Sequence, residues 1–127
     1  MVPEVVMIDC LIVGIGGFLG SVCRYLIGLL PMKAGHGFPV KTLLINVAGA
    51  FVIGLIAALG AKGKAMDPRF VLMLKVGVCG GFTTFSTFAY ESAELLQSGR
   101  IGMAAAYAAL SVILGVLAIF AAQILVR

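Results

Sequence analysis

Gly80-Gly81-Phe82-Thr83-Thr84-Phe85-Ser86-Thr87-Phe88 lies in the middle of an apolar run that begins near Pro68 and ends about Gln97. Two adjacent glycines are poor helix-interior residues, each about 1 kcal/mol worse than alanine. Four hydroxyls follow within five residues, at Thr83, Thr84, Ser86 and Thr87. Two readings stand at this point. In one, the helix breaks near the bilayer centre and its freed carbonyls become available to a cation. Bare backbone groups in lipid cost several kcal/mol each, so such a break persists only where protein buries it or it lines a cavity. In the other, the helix runs on and the hydroxyls bond back to its own carbonyls. Phe82, Phe85 and Phe88 recur at intervals of three, roughly on one helix face. They are either core packing or rings whose positive edges face an anion.

The residues around this segment name its solvent. Of 127 residues, 62% are hydrophobic and 11% charged, where a soluble domain carries about a quarter charged. The expected fold is an all-α integral membrane protein, one transmembrane domain over 1–127. Its spans fall at about Val5–Leu30, Thr42–Ala61, Pro68–Gln97 and Ile101–Val126, with the third broken mid-membrane. A spanning helix needs roughly 20 apolar residues, so the chain holds four spans and little else. Four helices enclose no wide pore; a transport path then needs a second subunit or a groove. Pro31 ends the first span, and Asp67-Pro68 has the pattern of an N-cap followed by proline at the first helical position. The first span opens on Glu4 and Asp9 rather than on basic residues, and is read as a retained helix rather than a signal peptide.

An even number of spans puts both termini on one side. Lys62, Lys64, Arg69 and Arg127 flank that side; Lys33, Lys41 and Arg100 flank the other. Four against three is almost no bias under the positive-inside rule. It suits a protein that inserts both ways, and equally a weak signal. The basic residues lie at the ends of apolar runs, as lipid-headgroup anchors do, and form no stripe for nucleic acid.

The remaining polar points are few. Asn46, alone inside the second span, is interhelical glue or an amide donor to an anion. Arg24 and Lys75 are charges within or near spans, a costly placement. Glu91 and Glu94 lie one turn apart past the phenylalanines, and shape a vestibule or cap the helix. Gly14-Ile15-Gly16-Gly17-Phe18-Leu19-Gly20 fails the dinucleotide fingerprint, because Leu19 stands where the third glycine belongs. Gly16 and Gly20 fit the GxxxG helix-packing motif instead. Cys10, Cys23 and Cys79 read as small buried hydrophobes. His36 lies in a loop without metal partners, and no catalytic constellation is present.

These residues resemble the Fluc family of fluoride channels, also called CrcB. The resemblance covers nearly the whole chain. It is carried by GIGGFLGSVCRY in the first span, KTLLINVAGAFVIG in the second, GVCGGFTTFSTFAYE in the third and the Tyr107 to Ser111 segment in the fourth. It implies an antiparallel, dual-topology homodimer with two separate fluoride pathways, in a microbial plasma membrane, exporting fluoride passively and catalysing nothing. Asn46 would donate to fluoride. Phe85 and Phe88 would form an aromatic box, one ring contributed across the interface. Carbonyls of Gly80 and Thr83 from both chains would hold one central sodium ion on the two-fold axis. Thr42, Ser86, Thr87, Tyr107 and Ser111 would form a polar track, with Arg24 and Glu91 near the vestibules. The chain departs from some relatives at Gly115, where they carry a second serine; water takes that role here.

Fluoride is small and strongly hydrated, so a narrow path must replace its water with donors, strong enough to admit the ion and weak enough to release it. The alternative is a small four-span proton-coupled multidrug exporter, whose class uses a buried acid in the first span; here that span has Asp9 near its start. A third reading is an accessory subunit with no ion flux.

Overall fold

The computed structural model describes residues 3–32, 35–63 and 65–127. Lys33 and Lys64, two of the flanking charges, lie outside them. The described residues form helices and no strand. α1 spans Glu4–Gly28 and α2 spans Val40–Ala61. The third apolar run is segmented: α3 at Pro68–Leu72, a π-helical turn at Met73–Val78, α4 at Cys79–Phe82 and α5 at Phe85–Gln97. α6 spans Ile101–Val126. Four helical runs, Glu4–Gly28, Val40–Ala61, Pro68–Gln97 and Ile101–Val126, are long and apolar enough to cross a membrane. The shortest has 22 residues, about 33 Å at 1.5 Å per residue, against a hydrocarbon core of roughly 30 Å. This is a membrane protein.

Local chemistry sets the helix ends. Asp67 caps α3: its carboxylate accepts from the N–H groups of Arg69 at 2.8 Å and Phe70 at 3.1 Å, with Pro68 at the first helical position. α5 closes on Gly99, whose φ of +78° a side-chain-bearing residue rarely adopts. There Arg100 N–H donates to the Leu95 carbonyl at 2.8 Å and Gly99 N–H to Leu96 at 3.1 Å, the paired bonds of a Schellman ending. α1 has no basic residue in its last turn. Lys41 supplies one from α2, its Nζ donating to the Gly28 carbonyl at 2.7 Å. α2 begins two residues before Thr42, directly after Pro39, so Lys41 belongs to the helix.

Glycine decides the packing of α1. A Cβ on Gly16 would stand 2.5 Å from the Met73 carbonyl oxygen, and one on Gly20 would collide with the Val78 carbonyl and come within 2.8 Å of the Phe82 nitrogen. Gly77 and Gly81 meet the α1 backbone as closely from the other side, at Gly16 and Gly17. The GxxxG pair therefore seats α1 on the π-helical turn and α4, backbone against backbone. α2 packs chiefly on α6, where Gly54 lets Ile119 approach. The two pairs meet at Gly49 of α2, which touches the Thr83 methyl. Leu43, Leu95, Ala104 and Tyr107 form the buried core among α2, α5 and α6. Cys79 is buried, whereas Cys10 and Cys23 lie on the outer surface of the chain. That corrects their reading as buried residues: α1 is exposed over much of its circumference, and the two thiols fall within that broad exposed arc.

Candidate functional site: the Thr83–Thr84 break and its clefts

Thr83 and Thr84 leave the helix for extended backbone, with φ, ψ of −80°, 156° and −150°, 111°. Each polar group freed at this point raises the question of a partner. Thr83 N–H and Thr83 Oγ1 both donate to the Cys79 carbonyl, at 3.0 and 2.8 Å. Thr84 is the N-cap of α5, its Oγ1 accepting from Thr87 N–H at 3.2 Å. Asn46 reaches across from α2 and satisfies both backbone groups of Thr84. Its Oδ1 accepts from Thr84 N–H at 2.7 Å, and its Nδ2 donates to the Thr84 carbonyl at 3.1 Å. The amide is therefore a splint for the break, and its second N–H remains. Arg24 Nε donates to the Gly81 carbonyl at 3.2 Å.

The carbonyls of Gly80 and Thr83 accept no hydrogen bond among the described residues. Gly80 is exposed, with open space where a side chain would stand. Uncommitted hard oxygens of this kind suit a hard cation such as sodium; one chain supplies too few to enclose it. No cluster of His, Cys, Asp or Glu with metal-binding character occurs among the described residues.

Two clefts flank the break. One, of about 310 Å³, is lined by Asn46, Thr83, Thr84, Phe85, Phe88, Ser111 and Val112. The rings of Phe85 and Phe88 stand 5.7 Å apart at 45°, and Phe85 is 79% exposed. The Ser111 hydroxyl is buried and has no partner among the described residues. Phe82 is on the far side of the break, beside Gly49, so the expected face of three phenylalanines reduces to two.

The second cleft, of about 560 Å³, is lined in part by Arg24, Lys41, Thr42, Thr84, Thr87 and Glu91. Here Glu91 organises the polar groups: Oε1 accepts from Thr42 Oγ1 at 2.7 Å and Oε2 from Tyr107 Oη at 2.6 Å. Thr42 and Tyr107 thus direct their single hydroxyl protons at a carboxylate. Tyr107 is fully buried and lines neither cleft. Ser86 is exposed and lines neither cleft, its Oγ 3.4 Å from Thr84 Oγ1. Gly115 is half-buried, four residues beyond Ser111 on α6.

Sequence reasoning counted Thr84 among the hydroxyls of the break and Lys41 among the flanking charges, but named neither as a cap. Thr84 carried a signal: a threonine just before an amphipathic run is an N-cap pattern. Lys41 carried none, because its partner is a carbonyl at the end of another helix.

The family model described as "CrcB-like protein, Camphor Resistance (CrcB)" matches residues 11–123. The chain belongs to the CrcB family. Among similar curated proteins is one named "Fluoride-specific ion channel FluC" from Chlorobaculum tepidum, 42% identical over 122 residues, covering 96% of this chain and 97% of that protein. A Caulobacter vibrioides protein of the same name is 43% identical over 119 residues, covering 92% and 94%. Another, from an Anaeromyxobacter species, is 43% identical over 122 residues, covering 95% and 97%.

Proposed function

We propose that this chain is a fluoride-selective passive channel of the plasma membrane. It works as an antiparallel, dual-topology homodimer with two pathways and one sodium ion on the two-fold axis. The observation that carries this reading is the cleft that gathers Asn46, Phe85, Phe88 and Ser111. An amide, two rings and an unpartnered hydroxyl are all neutral, and together they offer what an anion needs when it leaves water. A fixed positive charge there would trap the ion; ring edges and single N–H or O–H donors hold it weakly enough to pass on. Relatives named as fluoride-specific channels support the same choice of ion.

A second copy is supported by the bare polar groups. The Gly80 and Thr83 carbonyls and the exposed Ser86 sit in the middle third of a membrane-length run. Lipid cannot satisfy them, and each would cost several kcal/mol in hydrocarbon. A partner chain brings the same groups to the same place, and four carbonyls would hold a sodium ion. Bound there, that ion supplies a positive charge that offsets anion repulsion from the protein. The exposed Phe85 ring then faces the partner, so each pathway draws rings from both copies. The near-even split of flanking charges supports insertion in both orientations. Arg24, Lys41, Thr42, Thr87 and Glu91 form the approach on one side of the break. Thr42 and Tyr107 act there as a scaffold tied to Glu91, while Asn46, Thr87, Ser86 and Ser111 serve as the donors.

The exporter alternative needs a buried first-span acid. Asp9 instead pairs with Arg69 at 3.2 Å near the start of α1, a third exposed. The test is efflux from liposomes that hold the purified protein, followed with a fluoride electrode. Fast fluoride release without chloride release, at a rate independent of any proton gradient, is the expected result. Release that requires a proton gradient, or no release at all, overturns the reading.

A further inference from the structure

Four aromatic rings form a continuous column from the α1–α2 loop to the break. Phe38 stands 5.5 Å from Tyr107 at 71°. Tyr107 stands 4.9 Å from Phe88 at 65°, and Phe88 stands 5.7 Å from Phe85 at 45°. The first two pairs are edge-to-face and the last is tilted. Only the Phe85–Phe88 end of this column lines the cleft beside Asn46.

The column decides how Phe88 is held. Phe85 is mostly exposed and gives Phe88 little support within the chain. Phe88 packs against the buried cluster of Leu43, Leu95, Ala104 and Tyr107, where its ring partner is the fully buried Tyr107. Tyr107 in turn is anchored at its hydroxyl by Glu91. A tyrosine hydroxyl lies on the axis through Cβ and the ring, so that bond fixes the axis and leaves the ring plane free to turn. The plane is set by what packs against it, and beside the aliphatic residues Leu43, Leu95 and Ala104 of its cluster the second ring in contact is Phe38. The loop bearing Phe38 is itself pinned: Arg100 Nη1 donates to the His36 carbonyl at 3.2 Å, and Pro39 N-caps α2.

We propose that Phe38 is a positioning residue of the ion path, setting the tilt of the Phe88 ring through Tyr107 and with it the discrimination of fluoride from chloride. This rests on the channel reading above. A ring held edge-on presents its positive rim at close range, which favours the smallest halide. A ring free to rock presents its negative face part of the time and widens the cleft, which admits chloride.

The experiment compares Phe38→Leu and Phe38→Met, which keep apolar bulk without a ring, with Phe38→Tyr, which keeps the ring. Fluoride and chloride efflux are measured for each in liposomes. An edge-to-face contact of ordinary strength corresponds to a loss of about two- to tenfold in the fluoride-to-chloride rate ratio for the ringless variants. Phe38→Tyr restores the wild-type ratio. The near-UV circular dichroism of tyrosine weakens in the ringless variants while the far-UV helix signal holds. Ringless variants with the wild-type ratio overturn the proposal, as does a Tyr variant impaired as much as Leu. Failure of both ringless variants to fold also overturns it, by making Phe38 a stability residue. Wild-type protein without fluoride flux sinks the channel reading itself, which separates the two failures.

Discussion

At the scale of single residues, Asn46 carries one of the duties that the sequence offered as alternatives, and the proposed function gives it the other. Its carbonyl and one N–H splint Thr84, and the second N–H remains beside Phe85, Phe88 and Ser111. The lone amide was legible as interhelical glue; its partner was not, because that partner is backbone exposed only by the break. Asn46→Asp keeps the acceptor for Thr84 N–H and puts negative charge in the cleft. At about 4 Å and an effective dielectric near 20, that repels an anion by about 4 kcal/mol. Fluoride flux is expected to fall on the order of a thousandfold, measured by electrode in liposomes. Ser111 separates function from stability more cleanly. Its hydroxyl has no partner among the described residues, so Ser111→Ala removes no internal hydrogen bond and is neutral or stabilising in a detergent melt. If the hydroxyl serves the ion, flux falls about five- to tenfold, the worth of one donor of roughly 1 kcal/mol. Unchanged flux would remove Ser111 from the ion path.

At the scale of elements, apolar run length and proline placed all four spans, most ends within two residues of the observed ones. The segmentation of the third was only partly legible. Gly80-Gly81 and the hydroxyl cluster marked where the backbone leaves the helix, at Thr83–Thr84. The π-helical turn at Met73–Val78 had no mark, because a shift in hydrogen-bond register changes no residue type. The glycines of α1 were legible as packing residues, but not which helix they pack against. Gly20 and Gly14 make that contact testable. A side chain at Gly20 would strike the Val78 carbonyl and the Phe82 nitrogen, backbone atoms that cannot swing aside, whereas Gly14 has nothing within 4 Å. Gly20→Val is expected to lose about 1–3 kcal/mol by overpacking. Gly14→Ala should hold or gain up to about 1 kcal/mol from helix propensity. Equal melting temperatures for the two variants would contradict the backbone-to-backbone seating of α1.

At the scale of the whole molecule, the proposed dimer makes one chain half of a site. The break leaves bare carbonyls, an exposed ring and a hydroxyl on a membrane protein, a placement costly in lipid that the proposed second copy would resolve. Composition announced lipid as the solvent at once, since 11% charge cannot cover a soluble surface. The proposed pathway residues come from the family motif more than from physics. Neither spacing nor periodicity predicts that Thr42 and Tyr107 converge on Glu91 from two other helices. Everything then depends on whether neutral donors and ring edges at the break pass fluoride and refuse its larger relatives. Single-channel recording of the purified protein in a planar bilayer tests this most directly. With fluoride as the only permeant anion, discrete currents should appear that reverse with the fluoride gradient, and they should vanish when chloride replaces it. Equal currents in the two salts, or currents that follow the cation gradient, would contradict the account.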